Sequence, residues 1–149
     1  MSATRTKVTS KLSFAAIACT LIACRKPPAA DTEALALARA YEAVTSTSLS
    51  ERSIAIDSFK VAQCKVAQNC ADRDACVTYA TALLRAQTLA DKARALSATD
   101  AGGNGAATKS ELTLIVDGAD QALKSAEKAE PDCTKALHAL YARARPELQ

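Results

Sequence analysis

The chain has 149 residues, 19 Lys and Arg against 16 Asp and Glu, a formal charge of +3, and 3% aromatic residues with no tryptophan. That length allows one domain with a core of its own. Three of the basic residues, Arg5, Lys7 and Lys11, lie in the first 23 residues without any acidic one, so the rest balances at 16 against 16. This removes the net positive field that nucleic-acid binding usually draws on, and no run of basic residues demands a local patch. Beyond residue 23 the only rings are Tyr41, Phe59, Tyr79 and Tyr141, which disfavours glycan or single-strand sites built on aromatic stacking.

The first element is a leader. After the basic residues, an apolar run from Leu12 to Cys24 is broken only by Ser13 and Thr20, the pattern of a charged region followed by the apolar region of an export signal. The run is shorter than the roughly 20 apolar residues a helix needs to cross a bilayer, so a processed signal is expected over 1–23 rather than a membrane span. It ends in Leu21-Ile22-Ala23-Cys24. This resembles the bacterial lipobox, with an aliphatic residue three before the cysteine and a small residue just before it. The resemblance covers the first 24 residues alone. It implies that a diacylglycerol is attached to the sulfur of Cys24, that the chain is cut before it, and that the new amine is acylated. Several acyl chains on one residue give stable anchoring, so the domain is expected to be tethered to a membrane and to carry no other cofactor. The competing readings are a box at Ala16-Ile17-Ala18-Cys19 and an ordinary secretory signal cut after Ala29 or Ala30; both still export the domain. Residues 24–30 then form a spacer, Arg25-Lys26-Pro27-Pro28-Ala29-Ala30, whose prolines favour an extended chain. Arg25 stands where Asp is the best-known signal for inner-membrane retention in lipoproteins, so the resemblance leans toward the outer membrane.

Residues 31–149 read as one all-α domain, rich in alanine and poor in interior Gly and Pro. A first helix is predicted from Asp31 or Thr32 to about Thr45, with Leu37, Tyr41 and Val44 on one face. A second starts at the capping-box pattern Ser48-Leu49-Ser50-Glu51 and runs to about Gln68 through Ala55, Phe59, Ala62 and Val66. The third spans about Asp72 to Ser97, with Cys76, Ala80, Leu83, Ala90 and Ala93 on one side and Leu89 and Leu96 widening the stripe. Asp100 to Ala107, containing Gly102-Gly103-Asn104-Gly105, breaks it. Thr108-Lys109-Ser110-Glu111 is a second capping box, opening a helix to about Ala129 with Leu112, Ile115, Val116, Ala119, Leu123 and Ala126 on its face. Pro131 and Asp132 punctuate, and a short last helix carries Cys133, Leu137, Leu140 and Ala144 before Pro146. Short connections imply an up-and-down antiparallel bundle of four main helices plus that short C-terminal helix. Gly118 reads either as a tight helix crossing or as a tolerated defect costing about 1 kcal/mol.

Cys64, Cys70, Cys76 and Cys133 form an even set in an exported domain and are expected to make two disulfides. If the second and third helices turn near Cys70, Cys64 and Cys76 sit at matched heights and Cys133 comes near Cys70. The expected pairing is therefore Cys64–Cys76 with Cys70–Cys133, followed by Cys64–Cys133 with Cys70–Cys76. Structural zinc usually has two to four residues between paired cysteines; here five, five and 56 intervene, and no C-x-x-C or C-x-x-C-H occurs, so neither metal, redox nor haem chemistry is expected.

The one histidine, His138, is flanked by Leu137 and Ala139. Asp72 with Asp74, and Asp117 with Asp120, are acidic pairs where helix starts and solvated faces normally carry charge. The glycine stretch lacks the Lys of a phosphate loop, and no G-x-S-x-G, H-E-x-x-H, Walker or dinucleotide pattern occurs. The expectation is a non-enzymatic envelope lipoprotein that acts by contact with an envelope protein, as an assembly factor, inhibitor or immunity protein. A helical carrier of a small molecule or lipid, and a purely structural tether, are the alternatives.

Overall fold

The computed structural model describes residues 29–99 and 105–145. Cys24 and the leader, the spacer up to Pro28, and the glycines at 102 and 103 lie outside the described residues. The described chain is four helices: α1 (Ala29–Ser46), α2 (Leu49–Lys60), α3 (Ala67–Thr99) and α4 (Gly105–Ala144). Their lengths are unequal. At 1.5 Å per residue, the 33 residues of α3 and 40 of α4 extend about 50 and 60 Å, whereas the 18 of α1 and 12 of α2 reach about 27 and 18 Å.

α3 and α4 run in opposite directions along each other. Cys76 is bonded to Cys133, a Cβ added at Gly118 would lie 3.4 Å from Leu89 Cδ1, and Lys92 pairs with Glu111 at 3.6 Å. While α2 runs beside α3 as far as Gln87 and Arg94, α1 covers only one end of this long pair. The core cluster accordingly gathers there, with Leu37, Tyr41 and Val44 of α1, Ile56 and Phe59 of α2, and Leu140 of α4. Beyond it, the buried side chains Ala86, Ile115, Ala122 and Ala126 belong to α3 and α4 alone. The molecule is thus a helical bundle at one end, and at the other an α3–α4 arm that α2 flanks on its α3 side.

Three boundaries depart from the periodic reading. α2 stops at Lys60 rather than Gln68 because the backbone of the next six residues finds other partners. The Val61 and Ala62 amides close the helix onto Asp57 and Phe59, Arg73 donates to the Ala62 carbonyl at 2.7 Å, and Glu33 accepts from the Lys65 and Val66 amides. α3 therefore begins at Ala67, before Asp72. The separate fifth helix does not exist: α4 continues through Pro131. Proline there cannot donate to the Glu127 carbonyl, a defect of about 3 kcal/mol, but the buried stripe holds the same phase on both sides of it. Leu112, Ile115, Ala119, Ala122, Ala126, Ala129, Cys133, Ala136 and Leu140 follow one another at alternating steps of three and four residues, a seam that breaking the helix would take out of register.

The capping boxes are realised only in part. Ser48 does stand at the N-cap of α2, but its hydroxyl donates to the Glu51 carboxylate at 2.9 Å, and the Glu51 amide is held by the Ser48 carbonyl at 3.1 Å. At Thr108 no helix starts, since α4 is already under way from Gly105.

Gly118 sits against the flexible end of Leu89 at ordinary contact distance, not in a crossing that excludes a side chain. Gly118→Ala should therefore stabilise the fold by about 0.5–1 kcal/mol through helix propensity. A lower denaturation midpoint than wild type would show the approach to be tighter than this.

Candidate functional site

At the bundle end, three helices meet through polar side chains. Glu33, on the first turns of α1, accepts from the Lys65 amide at 2.8 Å, the Val66 amide at 3.1 Å and the Asn69 side-chain amide at 3.0 Å. Its carboxylate therefore lies at the start of α3, where exposed helix amides favour negative charge. Asn69 is fully buried; it also accepts from Arg143 Nε of α4 at 2.9 Å, and the Arg143 guanidinium is paired with Asp72. α1, α3 and α4 are tied together by this chain of bonds. Burial of Glu33 acts to raise its carboxyl, but the hydrogen bonds from Lys65, Asn69 and Val66 and the charge of Lys65 outweigh it. They hold the group below its ordinary value of 4.5.

A carboxyl depressed in the folded state contributes stability that is complete above its unfolded value and lost as pH falls through the folded one. Glu33→Gln should therefore lower the melting temperature at neutral pH and flatten the loss of stability below pH 4.5. An unchanged acid limb in thermal melts would remove Glu33 from this role.

The cysteines pair differently from expectation. Cys64 is joined to Cys70 and Cys76 to Cys133, with Cα separations of 5.5 and 4.4 Å; neither Cys64–Cys76 with Cys70–Cys133 nor Cys64–Cys133 with Cys70–Cys76 forms. The expected pairing needed α2 to run to Gln68, so that Cys64 and Cys76 stood at equal heights on facing helices. With α2 ending at Lys60, Cys64 falls in the loop and turns back onto the first turn of α3. Because α4 is unbroken, Cys133 stands within it at the level of Cys76 and short of Cys70, and the helix reaches Asn69 only at Arg143.

The other candidates do not converge. Asp72 is taken up by Arg143, and Asp74 is exposed and paired with Arg73 at 2.7 Å. Asp117, Asp120 and His138 are exposed on α4. Among the described residues no group of three or more His, Cys, Asp or Glu could hold a metal ion, and no helix is long and apolar enough to cross a membrane. Among the hollows that adjoin the helices, an open one of about 340 Å³ lies between α2 and α3 at Leu49, Arg52, Gln87, Ala90 and Arg94, and two others flank the core and the arm. One, of about 140 Å³, lies between Tyr41, Val44, Arg52, Tyr79 and Leu83. The other is an open groove of about 390 Å³ between Val77, Thr81, Arg85, Ala122 and Ser125.

What the arm does present is apolar surface. Val116 and Leu123 are 43% and 45% exposed and Leu114 is 70% exposed. Leu114 lies on the opposite side of α4 and stands alone. Val116 and Leu123 are seven residues apart, on a line that runs from Lys109 to Glu130 and on to Leu137, which packs against the core. The periodic reading put both on the buried face. α1 ends at Ser46, and among the described residues no other helix continues its course over them. The signal was present in the spacing: once the seam from Leu112 to Leu140 is assigned to α3, Val116 and Leu123 are left over beside it. Glu33, Asn69 and Arg143 had no such signal, since Glu33 and Arg143 reach partners 32 to 74 residues away.

Comparison with known proteins finds no matching family model, no matching curated protein and no matching solved structure.

Proposed function

We propose that the chain is the precursor of a bacterial envelope lipoprotein, lipidated on Cys24, whose helical domain acts without catalysis by binding another protein through the α3–α4 arm. The observation that carries this reading is the exposed pair Val116 and Leu123 on a segment of α4 that the described residues leave half covered. Exposed apolar side chains grouped in this way favour contact with a partner. The leader and its lipobox support export and attachment, Arg25 supports the outer membrane, and two disulfides are in keeping with an oxidising compartment. We read the bundle as up-and-down, α1 and α3 running one way and α2 and α4 the other; the contacts of Arg52 with Gln87 and of Arg73 with Ala62 favour it.

Capture from solubilised envelopes tests the reading. The wild-type chain should recover a stoichiometric partner, and Val116→Asp with Leu123→Asp should reduce recovery at least tenfold while leaving the melting temperature near wild type. Equal recovery by both chains, or repeated recovery of nothing, would overturn it. Cys24→Ala should abolish incorporation of labelled fatty acid. The carrier alternative needs a concave pocket of roughly 300 Å³ or more that encloses its ligand; the hollow beside Tyr41 is about 140 Å³, and the larger ones, of about 340 and 390 Å³, are open grooves.

A further inference from the structure

We infer that the partner of the arm is a second copy of this chain, docked antiparallel along α4. The inference rests on the protein-contact reading and names its occupant. It is carried by the order of residues on the uncovered line of α4. Lys109, Val116, Leu123 and Glu130 follow at intervals of seven, and all four are exposed. Seven residues turn an α-helix through nearly two full turns, so the four share one face over about 32 Å. The order is positive, apolar, apolar, negative. A two-fold axis passing between Val116 and Leu123 is the operation that this order answers. It sets Val116 of each copy against Leu123 of the other and Lys109 of each against Glu130 of the other, all four contacts complementary. A parallel pairing would instead oppose Lys109 to Lys109 and Glu130 to Glu130. A two-fold axis also makes the contact closed, the same patch serving both copies.

The pairing completes what α1 leaves unfinished. Leu137, further along this line, packs against the core, and α1, whose Tyr41 lies within reach of the Glu130 charge, stops at Ser46; the arm of a second molecule would lie along the line beyond it. Two hairpins joined in this way make a four-helix arrangement around alanine seams, the packing that such helices favour. Asp120 flanks the axis on both copies, and its like charge keeps the association modest.

The test uses the full-length chain in detergent micelles. Sedimentation equilibrium should show a monomer–dimer system. Lys109→Glu should weaken it about tenfold, since two surface ion pairs per dimer become repulsions, and Lys109→Glu with Glu130→Lys should restore it. Under mild oxidation Asp120→Cys, beside the axis, should form a covalent dimer, whereas Thr113→Cys, whose two copies lie about 20 Å apart along the helix, should not. Failure of the double charge swap to restore association, or crosslinking at Thr113→Cys as efficient as at Asp120→Cys, would overturn the antiparallel dimer. A strict monomer that still captures a different envelope protein, in a manner abolished by Val116→Asp with Leu123→Asp, would overturn the second copy as partner and leave the protein-contact reading standing. A strict monomer that captures nothing would remove both.

Discussion

Cys76→Ala with Cys133→Ala should cost about 4 kcal/mol of stability, and Cys64→Ala with Cys70→Ala only about 2 kcal/mol. The difference comes from the loops that the bridges close. One spans a sequence separation of 57 and the other of 6, and the entropy removed from the unfolded chain rises with the logarithm of that length. The long bridge also joins α3 to α4 within the core, with both cysteines buried. Its loss should therefore loosen the arm and the bundle together, while loss of the short bridge should free mainly the loop after α2. Denaturant titrations of the two double variants check this. Equal losses would mean that the short bridge does more than pin its loop.

Phe59→Ala should cost about 3–5 kcal/mol. α2 contributes only Ile56 and Phe59 to the buried core, and Phe59 is 1% exposed, so one ring carries much of the docking of this helix. The ring packs against Tyr41 with centroids 5.6 Å apart, a tilted arrangement that aromatic pairs favour. Tyr41 supplies a second readout. Its burial, with smaller contributions from Tyr79 and Glu130, pushes the phenol up from 10.0 to about 12. A phenol raised in this way contributes stability that is complete below its unfolded value and lost as pH climbs from about 10 to about 12. In Phe59→Ala the ring loses its cover, and the absorbance change of tyrosine ionisation should move toward the ordinary value. A Tyr41 titration that stays near 12 in a variant that still folds would show that α2 does not provide its burial.

Helical periodicity made most of the bundle end legible. Leu37, Tyr41, Val44, Phe59, Cys76, Ala80 and Leu140 were all placed on inward faces and are buried, because a residue repeat near 3.6 records the side a helix turns to its neighbours. The same pattern misplaced Val116 and Leu123, and it overstated Leu83, Ala90 and Ala93, which are only half-buried. Periodicity reports that a face is apolar; whether anything covers it depends on the lengths of other helices. Pro131 misled for a related reason. Its cost is local, while the seam that outweighs it extends from Leu112 to Leu140. The end of α2 was illegible because Glu33 and Arg73 supply it from elsewhere, and the wrong disulfide pairing followed directly from that one misplaced boundary.

The unequal helix lengths have a consequence for distance. Ala29, where α1 starts, lies at the same end as Asn69 and Arg143, and Gly105, where α4 starts, lies at the other end, about 60 Å away along α4. A molecule fixed by its N-terminus would therefore hold the start of α4 at the far end of a rod. Two rods overlapping about an axis between Val116 and Leu123 would place their fixed ends on opposite sides, each about 37 Å from the axis along α4. Their attachment points would stand about 75 Å apart, a separation set by the count of residues in one helix. One whole turn added to each copy between the axis and its fixed end would move each attachment point by about 5.4 Å and widen the spacing by about 11 Å, so in such a pair the helix length would act as a gauge.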